Sequence, residues 1–267
     1  MDRRSAIGAL TFLIFGFCMN RPANANQFSD LIVEYEQTPG VLENAWRFRE
    51  QGAFRGVGRG TPSTRAISRR AIDLIIQLEV GGQKRYDAKY TKPIWPRGES
   101  GVTIGIGYDL RFSNQDILYR DWKDIISQEN LIILSTALGA GGQNAEKRLS
   151  EVQGVEIPWQ SALTQFSRYI PYLVAETERA FPNTKMLSDD SLGALASLIY
   201  NRGSSMERKS PRRAEMVAIY DLMLEQKFSE VPEQLRKMKR LWTTPDSRGL
   251  VIRRELEALL YEEGLQQ

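Results

Sequence analysis

The chain has 267 residues, of which 42% are hydrophobic and 26% are charged, a composition typical of a globular protein. It contains no histidine, and its single cysteine is Cys18. These absences exclude Ser-His-Asp and Cys-His catalysis and disfavour the ordinary zinc sites. The net charge of +3 falls to +1 without residues 1–25, which hold three arginines and one aspartate; such a nearly neutral chain disfavours a general nucleic-acid partner, because those proteins usually carry a basic excess. Chemistry would therefore rely on carboxylates, without a metal or cofactor.

Residues 1–25 are predicted to be a signal peptide. Arg3 and Arg4 precede an apolar run at residues 6–19, and residues 23–25 read Ala-Asn-Ala, a small-x-small cleavage pattern. The run is shorter than the ~20 residues that a membrane span requires. We therefore expect export to the periplasm or the medium, by the general or the twin-arginine route, with no stable membrane insertion once the signal is removed. Cys18 would leave with it, so that no intramolecular disulfide forms.

Residues 26–67 are predicted to be a leader followed by a linker. The first half is acidic and carries apolar residues, which favours a short helix that docks on the domain. The second half, residues 52–65, is rich in glycine and arginine and has no acidic residue, which is typical of a flexible linker. The catalytic domain is then residues 68–267.

The domain opens with an amphipathic helix. Isoleucines recur at helical spacing, at Ile72, Ile75 and Ile76. Ser68 is a suitable N-cap, and glycines at positions 81 and 82 stop the helix. The same face continues to Glu79, where burial and the negative end of the helix dipole would favour a protonated carboxyl, as a general acid requires. Glu79 could equally belong to a solvated last turn, or pair with Arg85.

The next regular segment is a short strand at residues 103–108, in which apolar and small residues alternate. Gly105 and Gly107 would let another backbone or a sugar approach closely. Leu110 stands where a dinucleotide-binding motif needs its third glycine, which disfavours that function. The strand and the end of the helix are predicted to face one another across a cleft.

These segments together resemble the T-even phage-type lysozymes, glycoside hydrolase family 24. The resemblance rests on Glu79, Tyr86-Asp87 and the Thr-Ile-Gly-Ile-Gly of residues 103–107. It continues at residues 199–203, which resemble the end of the family's central buried helix, and at residues 242–254, which resemble its final turn and helix.

The resemblance implies that the chain is a muramidase, which cuts the muramic acid to glucosamine bond of peptidoglycan. Glu79 would be the general acid, and Thr103 would help position the attacking water. The phage enzymes place an aspartate about nine residues after the glutamate, where this chain has Ala88. The related bacteriocin pesticin places it six residues after the threonine, which is Asp109 here, so Asp109 is the first candidate for the base and Asp87 the second. An inverting enzyme keeps its two carboxyl groups roughly 6.5–9.5 Å apart.

Helices follow the strand. Residues 116–138 are predicted to be helical up to Gly139, and residues 159–180 to form a helix that is bent or restarted at Pro171. A further helix should begin at Ser188 and end at Gly203.

The predicted fold is α+β and mainly α, a lysozyme-like fold in two lobes, with a small β-hairpin lobe and a larger helical lobe. Tyr108 and Arg202 are predicted to bind the substrate, the glycan strands of peptidoglycan. The basic segment 202–213 would then meet stem-peptide carboxylates or form a solvated face, and the aromatic residues of insert 85–100 would stack on sugars or pack within the domain. The alternatives are a lytic transglycosylase, a chitosanase-like hydrolase, or a peptidoglycan-binding module without activity.

Overall fold

The computed structural model describes residues 23–47 and 60–267. This part of the chain is mainly helical and includes one two-stranded antiparallel sheet, which confirms the α+β, mainly α class. The α-helices are α1 (Ala23–Gln37), α2 (Val41–Arg47), α3 (Arg69–Val80), α4 (Gly82–Lys89), α5 (Gln115–Trp122), α6 (Gln128–Ser135), α7 (Gln143–Val152), α8 (Trp159–Ala180), α9 (Asp189–Arg202), α10 (Ala214–Leu224), α11 (Val231–Lys237) and α12 (Arg248–Gly264). The strands are β1 (Thr103–Ile104) and β2 (Tyr108–Asp109).

Helix α9 forms the centre of the protein and packs against α3, α8 and α12. It begins where predicted, because the Ser188 hydroxyl accepts a hydrogen bond from the backbone N–H of Ser191, and it ends at Gly203. All of its residues from Asp190 onward are buried, as expected for a helix at the core of a domain. Gly193 allows α3 to approach closely, since a Cβ at this position would lie 2.2 Å from the Cβ of Ala71.

Helix α3 also has the predicted ends. The Ser68 hydroxyl accepts from the backbone N–H of Ala71 at 3.0 Å, and Gly81 ends the helix in the left-handed conformation, with φ of +69°. Ile75 and Ile76 are buried, and Glu79 lies on the same buried side. The amphipathic pattern therefore predicted the direction of the Glu79 side chain correctly.

The predicted β-hairpin is present at residues 103–109, and its turn divides the short strand that was predicted over residues 103–108. Gly105 and Gly107 both have positive φ values, +57° and +77°, and reverse the chain between β1 and β2. A residue with a Cβ adopts this conformation only at a cost, so the two glycines encode the turn. Thr103 pairs with Asp109 across the hairpin. Ile94 adds an antiparallel bridge to the outer edge of Thr103.

Two helix predictions need correction. Residues 116–138 form two helices, α5 and α6, because Asp124 has a φ of +67° and Ser127 caps a new helix. Helix α8 is continuous through Pro171, so the helix is not restarted there. A proline inside a helix costs about 3 kcal/mol. Leu173 and Val174, two and three residues after the proline, are buried, and their burial, at about 1.5–3 kcal/mol each, offsets that cost.

The leader packs on the domain through α1 and α2, which contact α12, and α2 also contacts α3. Tyr35, Val41 and Leu42 are buried in this contact. Part of the predicted linker, residues 52–59, lies outside the described residues. Its end is held in place: the Arg65 guanidinium donates to the carbonyls of Thr184 and Leu187 at 2.7 and 2.9 Å.

The N-terminal prediction falls largely outside the described residues. Residues 1–22 of the predicted signal peptide are among those not described, and α1 begins at Ala23, inside the predicted cleavage segment. Among the helices that are described, none combines the length and the apolar character needed to cross a membrane.

Candidate active site

Glu79 lies in the last turn of α3, and only 1% of its surface is exposed. Its carboxylate is paired with Arg253 of α12, whose Nη1 donates to Oε1 at 2.7 Å. The expected alternative partner, Arg85, is instead paired with Glu43 of α2. Burial and the helix end were the two influences on Glu79 that the sequence predicted, and the structure adds the positive charge of Arg253.

The guanidinium of Arg253 is itself held on three sides. Its Nε donates to Glu257 Oε1 at 3.0 Å, and its Nη2 donates to the carbonyl and hydroxyl oxygens of Ser197 at 2.9 and 3.1 Å. Burial lowers the pKa of Arg253, but the negative charges of Glu79 and Glu257 outweigh it and raise the pKa above its ordinary value. Arg253 therefore carries a permanent positive charge beside Glu79.

Glu257 and Arg254 complete this cluster. Glu257 Oε1 also accepts from the Ser197 hydroxyl at 2.6 Å and from Arg254 Nη2 at 2.9 Å. Arg254 in turn donates to Asn201 Oδ1 at 3.2 Å. Two carboxylates and two guanidinium groups thus share one buried network with no net charge. Buried ions persist when they are paired and hydrogen-bonded in this way.

The hairpin carries the other two predicted catalytic residues side by side. Thr103 and Asp109 are direct partners across the hairpin and are 4% and 5% exposed. Directly opposite residues of an antiparallel pair have Cβ atoms about 4.5–5.5 Å apart. A hydroxyl and a carboxylate on such neighbouring positions could both contact one water molecule.

Backbone donors fix the carboxylate of Asp109. Both of its oxygens accept from the backbone N–H of Gly101 at 3.1 Å, and Oδ1 also accepts from the N–H of Arg111 at 2.9 Å. Asp109 thereby caps the 3₁₀ turn Leu110–Phe112. Position 101 must be glycine for this arrangement, because a Cβ there would lie 2.2 Å from Oδ1.

Helix α9 connects the two halves of the site. Ser197 contacts Arg253, the partner of Glu79, and Tyr200 donates its hydroxyl to the carbonyl of Ile106 at the tip of the hairpin, at 2.5 Å. Residues three apart on a helix are neighbours on its surface. The Tyr200 ring is itself fixed between Phe166 and Tyr169, with ring centroids 5.8 and 6.0 Å away. The Glu79 network and the hairpin are therefore anchored to adjacent positions of one buried helix.

The remaining predicted residues lie either at the surface or in the interior. Asp87, the second candidate for the base, is exposed on α4. Tyr108 is buried, and its hydroxyl is hydrogen-bonded to Ser113 and Asp121. Arg202 is also fully buried, donates to the carbonyl of Arg212, and lies over the ring of Trp242. In this structure Tyr108 and Arg202 support the interior.

The aromatic residues of the insert divide between the two roles considered for them. Tyr86 and Tyr90 are buried, the first donating to the carbonyl of Ile157 and the second to Glu43. Trp95 is half-buried, and its ring nitrogen donates to the carbonyl of Ser100. Of these three, Trp95 alone has surface left to offer a ligand.

Sequence reasoning missed the partners of Glu79. Arg253 and Glu257 are four residues apart, a spacing that places them on one face of a helix, and Arg253 lies in the segment quoted for the lysozyme resemblance. No pattern within α3 itself points to a residue 174 positions away.

Neither the family models nor the curated proteins contain a match to this chain.

Proposed function

We propose that this protein is an exported muramidase with a lysozyme-like fold, in which the hairpin belongs to a small lobe and the C-terminal helices to a large one. The observation that supports the proposal is the shared anchoring of two carboxyl groups. Glu79, through Arg253, and the Thr103–Asp109 pair, through the hairpin tip, are both held by α9. This is the kind of rigid placement that acid–base chemistry on a glycosidic bond requires.

In the proposed reaction, Glu79 takes up a proton when the substrate is bound and donates it to the oxygen that leaves the muramic acid carbon. Arg253 then stabilises the carboxylate that remains, since its guanidinium already contacts Oε1. Asp109 accepts a proton from the water that attacks the opposite face of the sugar, and Thr103 orients this water. This series of steps is the one that an inverting hydrolase follows. None of these steps calls for a metal or a cofactor.

The substrate would be the glycan strand of peptidoglycan, reached after export. The predicted signal peptide supports export, and the resemblance to phage-type lysozymes supports this substrate. Tyr108 and Arg202 would act by supporting the hairpin and the helical body, in keeping with their burial.

A direct test uses purified peptidoglycan sacculi with the wild type and three variants. Glu79→Gln and Asp109→Asn should each lower muropeptide release by at least ~100-fold. Asp87→Asn, which changes an exposed carboxylate, should keep wild-type activity and serves as the matched control. Circular dichroism and thermal unfolding would establish that each variant is folded.

The products distinguish the related enzymes. A muramidase leaves reducing muramic acid ends, and inversion would give the α-anomer first in a proton NMR time course. Products that end in anhydro-muramic acid would indicate a lytic transglycosylase, and cleavage of chitosan alone would indicate a chitosanase. Equal activity of Glu79→Gln and the wild type would contradict the proposal.

One observation favours a second candidate, a peptidoglycan-binding module without activity. Glu79, Thr103 and Asp109 are all at most 5% exposed, and a glycosidic oxygen must reach Glu79 for cleavage to occur. Ile94 covers one edge of Thr103 through two backbone hydrogen bonds of 3.0 and 2.8 Å. Wild-type protein that is retained on sacculi and releases no muropeptide would establish this second function.

A further inference from the structure

The leader helices α1 and α2 pack against the two helices that carry Glu79 and Arg253. Acidic side chains of the leader contact three different helices of the domain. Glu34 accepts from Arg248 of α12, Glu36 from Gln77 of α3 and Glu43 from Arg85 of α4. Arg248 and Gln77 precede Arg253 and Glu79 by five and two residues on the same helices. The leader is therefore fastened to both helices that carry the pair.

Tyr35 of α1 is the residue at the middle of this contact. It is 2% exposed, and its hydroxyl donates to the carbonyl of Leu78 at 2.9 Å. Its ring lies against Gly249 in the first turn of α12, where a Cβ would approach the ring to 3.4 Å and Val41 to 2.7 Å. Tyr35 thus contacts the chain immediately before Glu79 and the start of the helix that carries Arg253.

The hydrogen bond to Leu78 meets a specific need of α3. The last four carbonyls of an α-helix have no partner within the helix, and Leu78 is one of them. The carbonyl of Gln77 is satisfied by the N–H of Gly81. The carbonyl of Leu78, one residue before the proposed acid, accepts its hydrogen bond from the leader.

The electrostatic environment of Tyr35 agrees with this geometry. Burial raises the pKa of the phenol above its ordinary value, while the charges of Arg253 and Glu79 lower and raise it respectively. The hydroxyl therefore stays protonated, and remains a donor, across the pH range in which a glycosidase works.

We propose that Tyr35 is a positioning residue for Glu79, and that residues 27–44 of the leader are a brace that fixes the last turn of α3 against α12. The proposal rests on the proposed function only for its effect on catalysis. Loss of the hydroxyl would free the Leu78 carbonyl and let the Glu79 backbone fluctuate. Misplacement of a catalytic group by about 1 Å can cost on the order of 100-fold in rate.

The test compares Tyr35→Phe with Tyr86→Phe in the full chain. Tyr86 is a matched control, because it is another buried tyrosine that donates to a backbone carbonyl at 2.9 Å, that of Ile157. With soluble glycan oligomers, Tyr35→Phe should lower kcat about 10-fold or more, leave KM unchanged and move the acidic or basic limb of the pH profile. Tyr86→Phe should change none of these beyond twofold.

Hydrogen exchange provides a readout that does not need activity. The amides of residues 79–82 should exchange at least about 10-fold faster in Tyr35→Phe, and at the wild-type rate in Tyr86→Phe. A wild type that is inactive on every glycan, with this exchange difference present, would refute the muramidase and keep the brace. Unchanged exchange and an unchanged kcat in Tyr35→Phe would overturn the brace.

Discussion

Removal of Arg253 should leave the buried carboxylate of Glu79 without the guanidinium that contacts it. The perturbation is Arg253→Met, which keeps most of the side-chain volume and deletes the charge. Glu257 would retain Arg254 and Ser197 as donors, whereas Glu79 would lose the cation that lies 2.7 Å from Oε1. The cost of this variant should therefore come mainly from the buried charge of Glu79, with a smaller part from the Ser197 carbonyl, which loses the hydrogen bond from Arg253.

The magnitude follows from the burial of the pair. Arg253 and Glu79 side chains are 4% and 1% exposed. Two unit charges about 4 Å apart attract by about 4 kcal/mol at an effective dielectric constant of about 20, and deletion of one partner of a buried pair typically costs about 3–5 kcal/mol. We expect Arg253→Met to lower the free energy of unfolding by about 4 kcal/mol.

Glu79→Gln should cost only about 1 kcal/mol, because its amide oxygen can still accept from Arg253, which keeps Glu257 as a counter-charge. The double variant carries no stranded charge at position 79. We therefore expect the double variant to lose about 2 kcal/mol less free energy of unfolding than the sum of the losses of the two single variants, a coupling typical of directly contacting residues.

Urea unfolding at pH 7, monitored by circular dichroism, measures all of these free energies. Arg236→Met is the control, because Arg236 also contacts two carboxylates, Glu255 and Glu262, but is 27% exposed. It should cost about 1 kcal/mol. Costs for Glu79→Gln and Arg253→Met that add to within about 0.5 kcal/mol would refute the reasoning, as would an Arg253→Met no more destabilised than Arg236→Met.

Two other predictions concern the hairpin and the leader. Gly101→Ala would place a Cβ 2.2 Å from Asp109 Oδ1. It should lower the free energy of unfolding by about 1–3 kcal/mol and abolish most of the muropeptide release. Gly154→Ala, with open space around its Cβ, is the control and should leave both the melting temperature and the activity near wild type. Glu43 is partly buried, which raises its pKa, but hydrogen bonds from Arg85 and Tyr90 outweigh burial and lower the pKa from 4.5 to about 2. The contribution of Glu43 to stability is then fully present above pH 4.5 and is lost as the pH falls towards 2. Glu43→Gln should therefore be less stable than the wild type by up to about 1 kcal/mol at pH 6. The unfolding curves of the two proteins should converge near pH 2. A difference that grows on acidification would contradict the Glu43 assignment, and an active, fully stable Gly101→Ala would contradict the role of Gly101.

Local patterns were enough for the elements that begin and end with capping residues. Ser68 and Gly81 bounded α3, and Ser188 and Gly203 bounded α9, because caps and left-handed residues act within one turn of the chain. The local pattern did not locate the turn of the hairpin. Alternating small and apolar residues at 103–108 suit a strand, and the positive φ angles at two glycines made it a hairpin.

The sequence by itself determined the mainly helical class, the buried side of α3 on which Glu79 lies, and the exclusion of catalysis that depends on histidine. These follow from periodicity and composition, which need no knowledge of distant partners. Tertiary structure decided the partners. It paired Glu79 with Arg253, set Thr103 opposite Asp109 while leaving Asp87 exposed on α4, and seated Tyr35 on the carbonyl of Leu78. Buried charges and unpaired groups at helix ends take their partners from whichever residues packing brings near. These contacts therefore depend on residues that are far apart in the chain.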